Sequence, residues 1–218
     1  LMQSFLKRKY LNKYIVDIRD YSIEGNAFAK KKEAQLIKGS LATVISSKGY
    51  QNFLPFHKYI IVHNDCNIDN KTRDIFKQAK RGNNPIRISY IGLIRFNDEN
   101  KKIILKFKDD SRFQLSFIGK GALELKEFCN KNNVKNTLLI DQFAPEKTLD
   151  YYKKTDIIMN LYGNNTPLLN YALSNKLYYS AKLYKPILVS PETYMEEISV
   201  SSGFGYTFDL KAEDACDK

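Results

Sequence analysis

"LSNKLYYSAKLYKPILVS", residues 173–190, decides the reading of this chain. Its second half is a strand signal: an apolar run, "PILVS", entered through a proline. Its first half is an amphipathic helix rich in tyrosine and lysine, spanning about 174–184. The helix opens on Ser174, Asn175 and Lys176, two side chains suited to capping and one cation. The first N–H groups of a helix have no partner within it, and the helix dipole makes that end a natural anion site. Ser174 or Asn175 can also simply cap the helix while Lys176 stays in solvent. The two readings part on what surrounds the helix start.

Outward from this stretch the same alternation repeats. Short β-branched runs are predicted as strands at 13–20, 41–46, 58–64, 86–92, 112–121, 137–141, 156–162 and 203–210, with helical stretches at 26–40, 99–109, 122–132 and 145–155 between them. Strand, helix, strand in regular succession predicts parallel α/β architecture. Residues 65–84 are polar, contain one helical stretch from Thr72 to Lys80 and end in "RGNNP", so they read as a linker. The predicted organisation is two Rossmann-like α/β units: 1–64, an incomplete first unit; a linker, 65–84; and 85–218, a second unit lacking its final helices.

The chain has 218 residues, 43% of them hydrophobic, and a formal charge of +11. The first 81 residues contribute most of that excess. This points to an anionic partner there, such as phospholipid, a phosphorylated acceptor or nucleic acid, or to a solvated basic face around Lys30, Lys31 and Lys32. No run approaches the roughly 18 apolar residues of a membrane span, and no signal peptide is visible. Cys66, Cys129 and Cys216 are odd in number and widely spaced, and with only His57 and His63 beside them they predict no metal site. A reducing cytoplasmic setting fits.

In open parallel sheets, ligands bind beyond the carboxyl ends of the strands. In the second unit these ends are Gly92-Leu93-Ile94-Arg95, Gly119-Lys120-Gly121, Gln142-Phe143-Ala144 and Tyr162-Gly163-Asn164-Asn165. Glycine lets the backbone approach a ligand, and arginine can fork onto a diphosphate. Residues 162–170 read as a long polar loop leading to the helix start.

The ordered set "ISYIGLIR", "FQLSFIGKG", "YYKKTDIIMNLY" and "SNKLYYSAKLYKPILVS" resembles the donor domain of glycosyltransferases of the B fold, in particular the retaining members of capsular and exopolysaccharide synthesis. "ATVISSKGYQNFLP" and "KYIIVHND" resemble the end of the acceptor domain. The resemblance covers nearly the whole chain and implies transfer of a sugar from a nucleotide-diphosphate sugar to a glycan or lipid-linked glycan acceptor. It implies no metal and no cofactor beyond the donor substrate. It assigns Arg95 and Lys176 to the leaving diphosphate as catalytic groups. It assigns Gly92, Gly119, Gly121, Phe143, Ser174, Asn175, Leu177 and Tyr179 to donor binding. The expected place of work is the cytoplasm, at the inner face of the cell membrane, in peripheral contact with anionic lipid.

Two positions depart from the pattern. The glutamate that comes after Asn-Lys-Leu-aromatic and holds the ribose is here Tyr179, and its partner eight residues earlier is Tyr171. The lysine after the first glycine loop has only Lys101 and Lys102 as candidates. Asp17, Arg19, Asp20 and His63 end strands in the first unit and stand near the expected acceptor side, but no general base is assigned. Two alternatives stay open: a non-catalytic anion-binding module, which lacks any known nucleic-acid signature, and a sugar-nucleotide epimerase of similar fold.

Overall fold

The structure, a computed structural model, describes residues 2–20, 26–79 and 85–212, without the side chains of residues 2–4 and 7. The predicted linker's last residues, 80–84, and Cys216 lie outside the described residues. The chain begins with α1 (Met2–Lys9), β1 (Ile15–Ile18), α2 (Ala27–Lys38), β2 (Ala42–Ile45), a 3-10 turn (Lys48–Asn52) and β3 (Tyr59–Ile61). Next come α3 (Asn70–Gln78), β4 (Ile86–Ile91), α4 (Asn97–Phe107), β5 (Phe113–Ile118), α5 (Lys126–Lys131), β6 (Thr137–Ile140), α6 (Thr148–Lys153) and β7 (Ile157–Asn160). It closes with α7 (Pro167–Tyr171), α8 (Asn175–Lys182), β8 (Ile187–Val189), α9 (Tyr194–Ser201) and β9 (Gly205–Thr207). Among the described residues no helix is long and apolar enough to cross a membrane.

The chain forms two compact units. The first comprises 1–66, 164–175 and 192–195; the second comprises 67–163, 176–191 and 196–218. In the first unit β1, β2 and β3 form a three-stranded parallel sheet in that order. Its core is Ile18, Ile37, Ile45, Tyr50 and Leu54, with Leu168, Tyr171 and Ala172 packed against it. The Ser47 hydroxyl donates to the Tyr171 carbonyl at 2.5 Å. A segment remote in sequence is therefore part of this unit's core, a feature that the contiguous boundaries expected from sequence did not contain.

The second unit is a six-stranded parallel sheet of order β6-β5-β4-β7-β8-β9. This is the doubly wound order, in which the chain builds outward on one side of β4 and then reverses. The central strands read as near-continuous apolar runs because helices cover both faces. Ile88, Tyr90, Leu115 and Phe117 from the strands pack with Ile103, Ile104 and Phe107 of α4 and Leu125. At the amino ends, Asp156 just before β7 accepts from the backbone N–H, Nε and Nη2 of Arg87, at 2.9 to 3.0 Å. Burial pushes the Asp156 carboxyl up, and the Arg87 bonds together outweigh it, leaving the group below the ordinary carboxylate range.

One expectation is met within the linker candidate: the helix expected from Thr72 to Lys80 is present as α3, where Asp69 accepts from the Thr72 N–H at 2.8 Å and Phe76 is buried. One expectation needs correction. The expected loop at 162–170 contains α7. There Thr166 accepts from the Leu169 N–H at 3.2 Å, and Pro167 occupies the first turn, where its missing N–H costs nothing.

Candidate functional site

The reversal of strand order lies between β4 and β7, so the crevice of the second unit is bounded by the loops at the carboxyl ends of those two strands. Gly92 comes directly after β4, and Tyr162 lies two residues beyond β7. The structure brings both to Lys176, in the first turn of α8. Lys176 is not a solvated side chain at a helix end. It is only 8% exposed, and its Nζ donates to the Tyr162 hydroxyl at 2.6 Å. The ammonium also lies 4.4 Å from the centroid of the Tyr90 ring and 5.4 Å from that of Tyr162. Aromatic faces attract a cation, yet they do not neutralise it.

Among the described residues neither Lys176 nor Arg95 has a carboxylate within ion-pair distance. Burial, and secondarily the charge of Arg95, lowers the Lys176 ammonium from its ordinary value of 10.5 to about 7. The neighbouring phenols shift the other way. Burial raises the pKa of Tyr90 and raises that of Tyr162 well above the ordinary range, so both hydroxyls stay neutral and can only hydrogen-bond. The Tyr90 hydroxyl donates to the Leu93 carbonyl at 2.9 Å and accepts from the Arg95 N–H at 3.3 Å. It thereby shapes the loop that carries Arg95, whose side chain is exposed.

The glycines divide by role. Gly92 has φ +124°, and a Cβ added there would find only Lys176 Nζ, at 3.8 Å. Its open side faces the ammonium. Gly119 has φ +137°, and its Cβ would sit 1.9 Å from the Gly92 carbonyl oxygen. Gly121 has φ +94°, and its Cβ would lie 3.0 Å from the Ile94 carbonyl oxygen. Gly119 and Gly121, expected as donor-binding residues, let the two strand-end loops pack on each other. The Ile94 N–H to Lys120 carbonyl bond, 2.9 Å, locks that contact.

Leu177, also expected at the ligand, is buried at 4% exposure and belongs to the apolar interior, because the helix turn that aims Lys176 at Tyr162 rotates Leu177 inward. Tyr179 stacks on the buried Tyr152 ring, 4.6 Å between centroids. Phe143 is half-buried and meets Tyr151 edge-on at 4.8 Å. Ser174 is half-buried and Asn175 exposed, and both group by packing with the first unit. Lys101 and Lys102 pair with Asp98 and Glu99 one turn back on α4. In the first unit, Arg19 is paired with Asp17 at 2.8 Å and donates to the Val62 carbonyl at 3.1 Å. Asp20 and His63 are exposed.

Sequence reasoning placed Tyr162 at a ligand-facing strand end but gave it no role, and missed Tyr90, which reads as core within an apolar strand; only the topology shows that they face one another, with rings 5.5 Å apart. Among the described residues no group of three or more His, Cys, Asp or Glu side chains could hold a metal ion. The arrangement is a desolvated ammonium, an exposed guanidinium and a glycine-opened backbone, and it suits a compact anion.

No family model matches the sequence, and no curated protein is significantly similar to it. Solved structures do match. Sucrose-phosphate synthase from Thermosynechococcus elongatus superposes with a TM-score of 0.68 at 9% identity, over 98% of this chain and 59% of that one. HepE of Anabaena, solved with UDP and glucose, superposes with a TM-score of 0.61 at 8% identity, over 93% of this chain and 59% of that one. WaaG, a glycosyltransferase involved in lipopolysaccharide biosynthesis, gives a TM-score of 0.57 at 10% identity, over 98% of this chain and 69% of that one. The chain thus spans about three fifths of the first two of these structures. Its fold is the glycosyltransferase B fold.

Proposed function

We propose that this chain is part of a glycosyltransferase, whose second unit binds the diphosphate of a nucleotide-sugar donor between Lys176, Arg95 and the backbone at Gly92. One observation carries the reading: a buried ammonium beside an arginine, neither paired with an acid among the described residues, at the strand-order reversal of a doubly wound sheet. An uncompensated buried cation is costly, and an arriving dianion would remove that cost.

In the proposed reaction the bond between the anomeric carbon and the diphosphate oxygen breaks, and its electron pair leaves with the nucleoside diphosphate. The acceptor oxygen forms the new bond to the anomeric carbon and gives up its proton to the departing diphosphate oxygen. Charge grows on the leaving diphosphate, where fixed cations in a low-dielectric site stabilise it most. Lys176 and Arg95 supply that charge, so the reaction is proposed to be metal-independent; retention at the anomeric centre is proposed from the sequence resemblance alone. The acceptor is proposed to be a glycan or lipid-linked glycan of surface-polysaccharide assembly, at the inner face of the cell membrane. The lipopolysaccharide role of WaaG and the basic first unit support this.

Calorimetric titration with a panel of UDP-, GDP- and TDP-sugars, with and without EDTA, tests the proposal. Binding of one nucleotide class, unchanged by EDTA, is expected. Binding that requires a divalent ion, or equal indifference to all three classes at millimolar ligand, would contradict it.

A further inference from the structure

The α1–α2 layer of the first unit carries a surface that the donor site does not use. α1, the turn after it as far as Lys13, and α2 hold eight lysines and arginines against a single acid, Glu33. Glu33 is half-buried, and burial raises its carboxyl pKa; one acid against eight bases leaves the layer strongly cationic. Lys30, Lys31 and Lys32 are all exposed.

Among the cations stand large apolar side chains of a kind that proteins usually bury. Phe28 is 66% exposed and Leu11 55%, with Phe5 and Tyr10 also exposed. The rings of Phe5 and Tyr10 lie 5.5 Å apart, and Lys9 Nζ stands 5.6 Å from the Phe5 ring. Lys32 Nζ stands 4.0 Å from the Phe28 ring. Each aromatic group is thus accompanied by an ammonium held close beside it. Basic heads interleaved with aromatic and aliphatic bodies are the composition of helices that lie in the headgroup region of a membrane.

We propose that the α1–α2 face of the first unit docks on the anionic surface of a phospholipid bilayer. Charge complementarity selects this occupant. A second copy of the same face would bring like charges together. An acidic polymer would satisfy the lysines but leave Leu11 and Phe28 in water, whereas the bilayer interface accommodates both. The inference rests on the proposed function only in giving a lipid-linked acceptor a surface on which to meet the enzyme.

Co-sedimentation of the 218-residue chain with vesicles of phosphatidylcholine, alone or mixed with phosphatidylglycerol, tests it. Partition is expected into the mixed vesicles only. Replacing Lys30, Lys31 and Lys32 together by Gln should lower the partition coefficient roughly 100-fold. Phe28→Ser should lower it about tenfold. Neither change touches Lys176 or Arg95, so calorimetric donor binding should be unaltered, which separates failure of this proposal from failure of the donor reading. Absence of partition into the mixed vesicles would overturn it. So would loss in the lysine variant with none in Phe28→Ser, together with equally tight binding of a single-stranded oligonucleotide, because the face would then be a polyanion site.

Discussion

Lys176 sets the chemistry of the proposed donor site. Its ammonium has one hydrogen-bond partner among the described residues, the Tyr162 hydroxyl, and burial holds its pKa at about 7. The consequence for stability has a definite sign. The unfolded chain keeps this proton up to about pH 10.5, while the folded chain releases it near 7, so folding is penalised in full below about pH 7. Ligand-free stability should therefore rise from this group between pH 7 and 10.5. Lys176→Met should abolish that rise and stabilise the protein at pH 6 by about 1–3 kcal/mol, as read from urea midpoints across pH. Ligand binding should run the other way. A diphosphate favours the charged amine, so binding should take up a proton and weaken as pH rises through about 7. Calorimetry in buffers of different ionisation enthalpy measures that uptake directly. Tyr162→Phe removes the hydroxyl and should move the midpoint of this pH dependence lower. The helix start at Lys176 was legible in "SNK"; its inward orientation was not, because Tyr90 and Tyr162 are strand-end residues brought together only by tertiary pairing.

Strands and glycine loops were the legible elements. Each apolar run ending in glycine became a strand of the larger sheet, because period and punctuation dictate that much. Less legible was a short helix in loop-like sequence. α7 hides in "YGNNTPLLN", although Thr166-Pro167 is a cap-and-first-turn signature; α3, by contrast, was legible within the linker segment behind Asp69. The glycine loops make a contrast that tests the packing argument. Gly119→Ala places a Cβ against the Gly92 carbonyl in a left-handed backbone and should cost at least about 2 kcal/mol. Gly163 shares the positive φ, at +83°, but faces open space, so Gly163→Ala should cost only about 1 kcal/mol. Denaturant midpoints of the two variants decide the matter, and equal losses would refute the loop-on-loop explanation. At the opposite end of the sheet, Arg87→Ala strips the partner from a carboxylate only 9% exposed and should cost about 3 kcal/mol near neutral pH. The penalty should shrink as acid protonates Asp156, since its depressed pKa contributes stability in full above the ordinary carboxylate value and loses it as pH falls through the lowered one.

At the scale of the whole molecule, two α/β units were legible but their boundaries were not. Contiguous segments were expected because composition shifts are local. Packing is not local: residues 164–175 and 192–195 belong to the first unit's fold although the second unit surrounds them in sequence. A fragment of residues 67–218 should therefore expose Leu168 and Tyr171, which normally pack beside Tyr50 and Phe53. It should bind a hydrophobic dye and aggregate, whereas the whole chain should not; a monomeric, dye-negative fragment would show that these segments do not need the first unit's core.

Whether Lys176 and Arg95 seat the diphosphate is decided by calorimetric titration of the donor nucleotide sugar into the whole chain and into its Lys176→Ala and Arg95→Ala variants. Binding is expected in the unaltered chain, with a loss of tenfold or more in each variant and unchanged melting behaviour for Arg95→Ala. Full affinity in Lys176→Ala would refute the assignment, because the buried ammonium would then be a feature of the fold and not the seat of the diphosphate.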